Sequence, residues 1–77
     1  MIKVCSRKDR THRIGECWSF PNSQLNQAIA FARIGSQHGR VRQVTVCGHL
    51  ARVYSNGLKV AGSRSMTELR KRVRACG

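Results

Sequence analysis

Negative charge is almost missing from this sequence: Asp9, Glu16 and Glu68 are its only acids, against fifteen Lys and Arg in 77 residues. General acid–base and nucleophilic catalysis need positioned acids, a His–nucleophile pair or a phosphate-cradling glycine loop. No Gly-rich fingerprint is present, and most of the seven glycines fall in candidate turns. Only a Cys–His pairing is left, and no spacing selects one, so the chain reads as a non-enzyme. Paired metal-ligand motifs are missing too. Cys5, Cys17, Cys47 and Cys76, with His12, His38 and His49, suffice in number for zinc. Structural zinc sites, however, show ligands two to four residues apart, twice. Only Cys47-Gly48-His49 approaches that, across a candidate turn, so no metal and no other cofactor is expected. The cysteines read instead as small buried hydrophobes or inert surface thiols.

Long apolar runs are absent. Nothing approaches the roughly 20 residues of a membrane span, and Met1 to Cys5 has no apolar stretch of a secretory leader behind it. The expectation is a cytoplasmic protein with reduced cysteines, and with neither a membrane nor a small-molecule partner. Proline occurs once, at Pro21, and no linker or low-complexity tract appears, which leaves one domain over residues 1–77. Aromatics are few: Trp18, Phe20, Phe31 and Tyr54. Phe31 and Trp18 read as core, so base stacking is a weaker candidate grip than contact with a phosphate backbone.

What the chain does have is positive charge and a patterned apolar supply. Hydrophobic residues make up 40%, enough for a modest core and too many for a disordered chain. The net charge is +12, whereas solubility of a small domain needs only about 2–8. Most of the excess is Arg, whose planar fork suits phosphate better than the point charge of Lys. Such self-repulsion is relieved by a polyanion. Three groups carry it: Arg7, Lys8, Arg10 and Arg13; Arg33, Arg40 and Arg42; and Arg64, Arg70, Lys71, Arg72 and Arg74. Arg52 and Lys59 lie between. Residues 64, 70–72, 74, 7, 8, 10, 13, 40 and 42 are therefore the candidate contacts for nucleic acid, DNA or RNA, or for another anionic partner.

Periodicity supplies the fold. Ile2 to Ser6 alternates as a strand, Arg7 to His12 suits a turn, and Arg13 to Phe20 forms a second strand with Ile14 and Trp18 as its apolar contacts. Asn22 or Ser23 can cap a helix. Leu25, Ala28, Ile29 and Ala32 share one face, Phe31 and Ile34 widen it, and Gly35 or Gly39 can end it in the left-handed region. Val44 and Val46 mark the next strand, Gly48-His49 a two-residue turn, and Leu50 to Ser55 another strand. Asn56-Gly57 is the strongest hairpin signal, because a type I′ turn needs positive φ at both central positions. Leu58, Val60 and Ala61 make a last short strand. Ser65-Met66-Thr67-Glu68 is a capping box, opening a helix with Met66, Leu69 and Val73 on one face and Arg70, Lys71, Arg72 and Arg74 around the rest. The order is ββαβββα. It describes an α+β domain with an antiparallel sheet of about five strands, one helix packed on a face and a basic C-terminal helix.

Phe20-Pro21-Asn22-Ser23 leading into Gln27-Ala28-Ile29-Ala30, then His38-Gly39, Val44, Val46, Leu50 and Tyr54-Ser55-Asn56-Gly57, resembles two groups over roughly residues 13 to 60. One is a set of short phage and bacterial β-β-α-β-β proteins of unknown function. The other is a small type I-F anti-CRISPR family of that layout, which implies an inhibitor docking on a CRISPR-Cas surveillance complex or another host protein or nucleoprotein. Both imply phage or mobile-element origin, and neither brings binding residues onto this chain. From Ser23 onward, α-β-β-β-α is also the order of double-stranded RNA-binding domains. These grip phosphates from the start of their second helix, whereas the basic cluster here lies one turn later.

Overall fold

The alternation of Ile2 and Val4 with Lys3, and of Val44 and Val46 with Gln43 and Thr45, gives the sheet one apolar face and one mixed face. The structure, a computed structural model, describes residues 1–7, 14–37 and 40–76. Its strands are β1 (Ile2–Arg7), β2 (Ile14–Phe20), β3 (Val41–Val46), β4 (His49–Ser55) and β5 (Leu58–Gly62), with helices α1 (Leu25–Gly35) and α2 (Met66–Cys76). All pairings are antiparallel and the spatial order is β2-β1-β3-β4-β5. The observed order, ββαβββα in an α+β domain, is the one the periodicity predicts.

Register fixes the core. Ile2 pairs with Val46 and Val4 with Val44, which brings four apolar side chains to one face of the central strands. Leu25, Ala28 and Ala32 of α1 and Leu69 and Val73 of α2 bury against them in a single cluster that includes Ala51 and Tyr54. A fully buried Leu such as Leu69 contributes roughly 1.5–3 kcal/mol. Ala51 reaches this cluster because β4 carries a bulge between Leu50 and Arg52, which re-aims the side chain of the extra residue.

Several local expectations are corrected. The β3–β4 turn is Cys47-Gly48, one residue earlier than Gly48-His49: both residues have positive φ (53° and 81°), and Val46 pairs with His49. Asn56-Gly57 turns β4 into β5 with φ of 54° and 79°, as expected for type I′. Neither Asn22 nor Ser23 caps α1; Asn22–Gln24 form a 3-10 turn behind Pro21, and α1 starts at Leu25 without a side-chain cap. Gly35 is the last helical residue, and the cap after it is Ser36, in the right-handed region; the alternative, Gly39, lies outside the described residues. Ile34 points to solvent rather than widening the buried face, and Phe31 sits at its edge. In α2, Ser65 Oγ accepts from the Thr67 amide (3.1 Å) as a cap should, but Glu68 turns forward to Arg72 at 3.8 Å.

The cysteines are also corrected. Cys5 pairs with Cys17 and Cys47 with Cys76 as disulfides. The sequence holds no spacing signal for this. β1–β2 register sets Cys5 opposite Cys17, with Cα atoms 4.0 Å apart. The early β3–β4 turn brings Cys47 to the last turn of α2, Cα 6.1 Å from Cys76. Closing a loop of that length is worth about 3–4 kcal/mol. Protein denatured without reductant should therefore show no free thiol by reagent titration, and four after reduction; four before reduction would contradict both pairs.

Candidate nucleic-acid interface

The fold sorts the candidate cations into three situations. Buried, first. Arg42 is 7% exposed. Its Nε donates to the Gly35 carbonyl (3.2 Å) and its guanidinium lies 4.5 Å from the Trp18 ring centre and 6.0 Å from that of Phe31. Opposite Ser6 in the β1–β3 register, it lies on the α1 side of the sheet and ends beneath the helix's C-terminal carbonyls, where a cation is favoured. Arg42 is thus no surface contact, and it is withdrawn from the predicted interface. Arg52 is buried as well, donating from Nε to the Ser63 carbonyl (2.7 Å) and from Nη1 to Tyr54 Oη (3.0 Å).

The second group lies at one end of the sheet. Arg7 pairs with Val41, so β1 ends where exposed Arg40 enters β3. Lys8, Arg10 and Arg13 lie outside the described residues. The third group is α2 with the residue before it: Arg64, Arg70, Lys71, Arg72 and Arg74 are all exposed. The helix C-terminus is held at the Cys47 turn, the far end of β3 from Arg40. The C-terminus of α2 and Arg40 are thus separated by most of a strand, about 17–20 Å.

The cations of α2 do not form one uniform face. Leu69 and Val73 face the core. Arg72 bends to one flank, pairing with Glu68 and donating to the Leu50 carbonyl (3.4 Å) beside a cavity of about 630 Å³ that also has His49 in its wall. Arg70 and Arg74, one turn apart, take the other flank and line a smaller cavity of about 240 Å³ with Asn22, Ser23 and Asn26. The sequence offers Asn22 and Ser23 only as cap candidates and gives no signal for Asn26, the second residue of α1.

Trp18, Phe20 and Phe31 pack on one another, with ring centres 5.0 Å (Trp18–Phe31) and 5.5 Å (Phe20–Phe31) apart. With Arg42 against Trp18, these rings are committed to each other. Among the described residues, no three His, Cys, Asp or Glu side chains come together as a metal site, and no helix is long and apolar enough to cross a membrane.

Fold and surface together define a small α+β protein, one antiparallel sheet under two helices, with a cationic C-terminal helix. Compared with protein-family models, curated proteins and solved structures, the chain matches none.

Proposed function

We propose that this chain is a non-enzymatic nucleic-acid-binding protein, of phage or mobile-element origin and acting in the cytoplasm, which holds phosphates through arginine and lysine without reading base sequence. One observation carries the reading: against a net charge of +12, a single ion pair, Arg72–Glu68, forms between described residues. Arg64, Arg70, Lys71 and Arg74 are left exposed, with Arg40 at the other end of the sheet. Neutralising Z phosphates releases counterions, so log affinity falls with log salt at a slope of about −0.9Z on duplex DNA.

Fluorescence anisotropy with labelled duplex and single-stranded DNA and RNA over a salt series tests this. Changing Arg64, Arg70, Lys71 and Arg74 together to Gln should flatten the duplex slope by about 3–4 and weaken binding at least tenfold at low salt. An unchanged slope would reduce α2 to a solvated face, and no binding to any nucleic acid at low salt would end the proposal. The cytoplasmic placement has its own check, because the Cys5–Cys17 and Cys47–Cys76 disulfides would persist mainly in an oxidising compartment. Alkylation inside intact cells that blocks four thiols supports a reducing cytoplasm in which the pairs close only after release, and alkylation that blocks none overturns the cytoplasmic placement.

A second reading, an inhibitor of a CRISPR-Cas or other host complex, is favoured by the edge strand. β5 exposes Leu58 (69%) and Val60 (59%), and an open apolar edge is a surface a protein partner can cover. Mixing with a purified type I-F surveillance complex, before and after nuclease, separates the two: association that survives nuclease favours the inhibitor.

A further inference from the structure

We propose that the cavity between the start of α1 and the flank of α2 is a seat for one terminal phosphate of a nucleic-acid strand, a phosphomonoester held by Arg70 and Arg74. The inference rests on the nucleic-acid reading above and names where and by what chemistry a strand end is held.

Four observations converge on it. Arg70 and Arg74 are separated by one helical turn, so both guanidiniums lie along the same flank of α2 and both line the cavity. Neither makes an ion pair with a described residue, in contrast with Arg72 on the opposite flank. The facing wall includes Asn22, Ser23 and Asn26, two amides and a hydroxyl able to donate hydrogen bonds, beside the apolar Leu25, and Val73 of α2 completes the lining. Finally, the α1 end of this wall has no side-chain cap and no acid in its first turn. That helix end therefore adds a positive potential that no carboxylate of its first turn offsets. Asn22 keeps its Oδ1 buried without a partner.

Charge and shape choose the ligand class. A backbone phosphodiester carries one negative charge, and a flat cationic surface suits it. A terminal phosphate carries about −1.5 to −2 at neutral pH and exposes three strong acceptor oxygens. Two guanidiniums, offering forked donors, match that dianion in charge. A concave cavity of about 240 Å³ walled by two helices receives a group at the end of a chain more readily than one in its middle. Arg64, just before α2, and Lys71, on the same helix, are exposed and left to contact the strand behind its end.

The test uses one oligonucleotide sequence made in three forms, 5′-phosphorylated, 3′-phosphorylated and hydroxyl-ended, together with inorganic phosphate alone. One phosphorylated form should bind about tenfold more tightly than the hydroxyl-ended strand, and the Arg70→Gln/Arg74→Gln variant should lose that difference. Inorganic phosphate should shift the backbone amide resonances of Asn22, Ser23 and Asn26 saturably in the wild-type protein and not in the variant. Equal, salt-dependent binding of all three forms, with no shift at those amides, overturns the seat while leaving the nucleic-acid reading in place. Saturable phosphate shifts without binding of any oligonucleotide would keep the cavity as a phosphate site and overturn the nucleic-acid reading, and with it the strand end as ligand. A circular dichroism melt matching wild type establishes that the variant is folded.

Discussion

Replacing Gly62 by Ala should cost this domain more than about 3 kcal/mol and lower its melting temperature by more than about 12 °C. Gly62 ends β5 with φ of +101°, outside the region an L side chain enters cheaply. A Cβ there would overlap the Ala51 carbonyl oxygen and sit 2.7 Å from Arg52 Cα, both backbone atoms of the neighbouring strand. Neither can step aside, because the same few residues are clamped. Ser63 N–H donates to the Ala51 carbonyl (2.9 Å), and the Ser63 carbonyl accepts from Arg52 Nε (2.7 Å). Relief would come only by peeling the β5–α2 connection off β4, which strips buried Arg52 of an acceptor and unseats Leu69 and Val73. Total stability for a domain of this length is about 4–12 kcal/mol, so the loss is a large share of it. Gly48→Ala is the control. Its φ is +81° but nothing lies within 4 Å of the added carbon, so it should cost only the backbone term, about 1–2 kcal/mol. Thermal melts that show equal losses at the two positions would remove the steric argument.

Gly62 was not legible as special, and the reason shows where sequence reading stops. Patterns with a local cause were readable: the period of α1, the Ser65 cap, the Asn56-Gly57 turn, the alternation in β3. What depends on residues brought together from far apart was not. Nothing near Gly35 in the chain announces that its missing Cβ makes room for the Arg42 guanidinium, whose Nε lies 3.1 Å from where that carbon would be. In the sequence Gly35, like Gly39, is a candidate left-handed helix stop; in the fold Gly35 serves instead as a clearance. Ser36 is likewise an ordinary polar residue in the sequence, yet it is fully buried. Its Oγ donates to the Arg33 carbonyl (2.7 Å) and accepts from Gly57 N–H (3.0 Å), and its carbonyl accepts from Asn56 N–H (2.8 Å). The hairpin turn that sequence identified is thus docked on a helix end that sequence could not connect to it. The candidate site divides in the same way. A count of charges placed the cations on α2 and on the β1 and β3 ends, but only packing reveals that Arg42 is spent inside the fold and that Arg70 and Arg74 lie on the flank away from Arg72.

Arg42 provides the second large effect, and its sign depends on what replaces it. The favourable terms are a desolvated cation–π contact with Trp18, about 2 kcal/mol, a charged hydrogen bond to the Gly35 carbonyl, about 1.5–3, and the α1 C-terminus, about 0.3–1. Against them stand several kcal/mol for desolvating a cation and about 1–3 for Nη1, which is buried without a partner. These nearly cancel, so the charge itself contributes little net stability, and the stem and planar group matter as a wall for Trp18 and Phe31. Arg42→Ala removes that wall and should cost about 2–4 kcal/mol, a fall of roughly 8–30 °C in melting temperature. Arg42→Met restores most of the volume without the buried charge and should stay within about 1 kcal/mol of the parent. Arg42→Lys should fall near Ala, since a compact, strongly hydrated ammonium cannot stack on the indole. If Met drops as far as Ala, the guanidinium's own contacts dominate and the cancellation is wrong. The same Met variant also separates buried from interfacial charge: its salt slope for duplex DNA should equal the parent's, because a cation sealed against Trp18 releases no counterion from a phosphate, whereas Arg40→Gln should make the slope shallower by about 0.9 if that end of the sheet touches the strand.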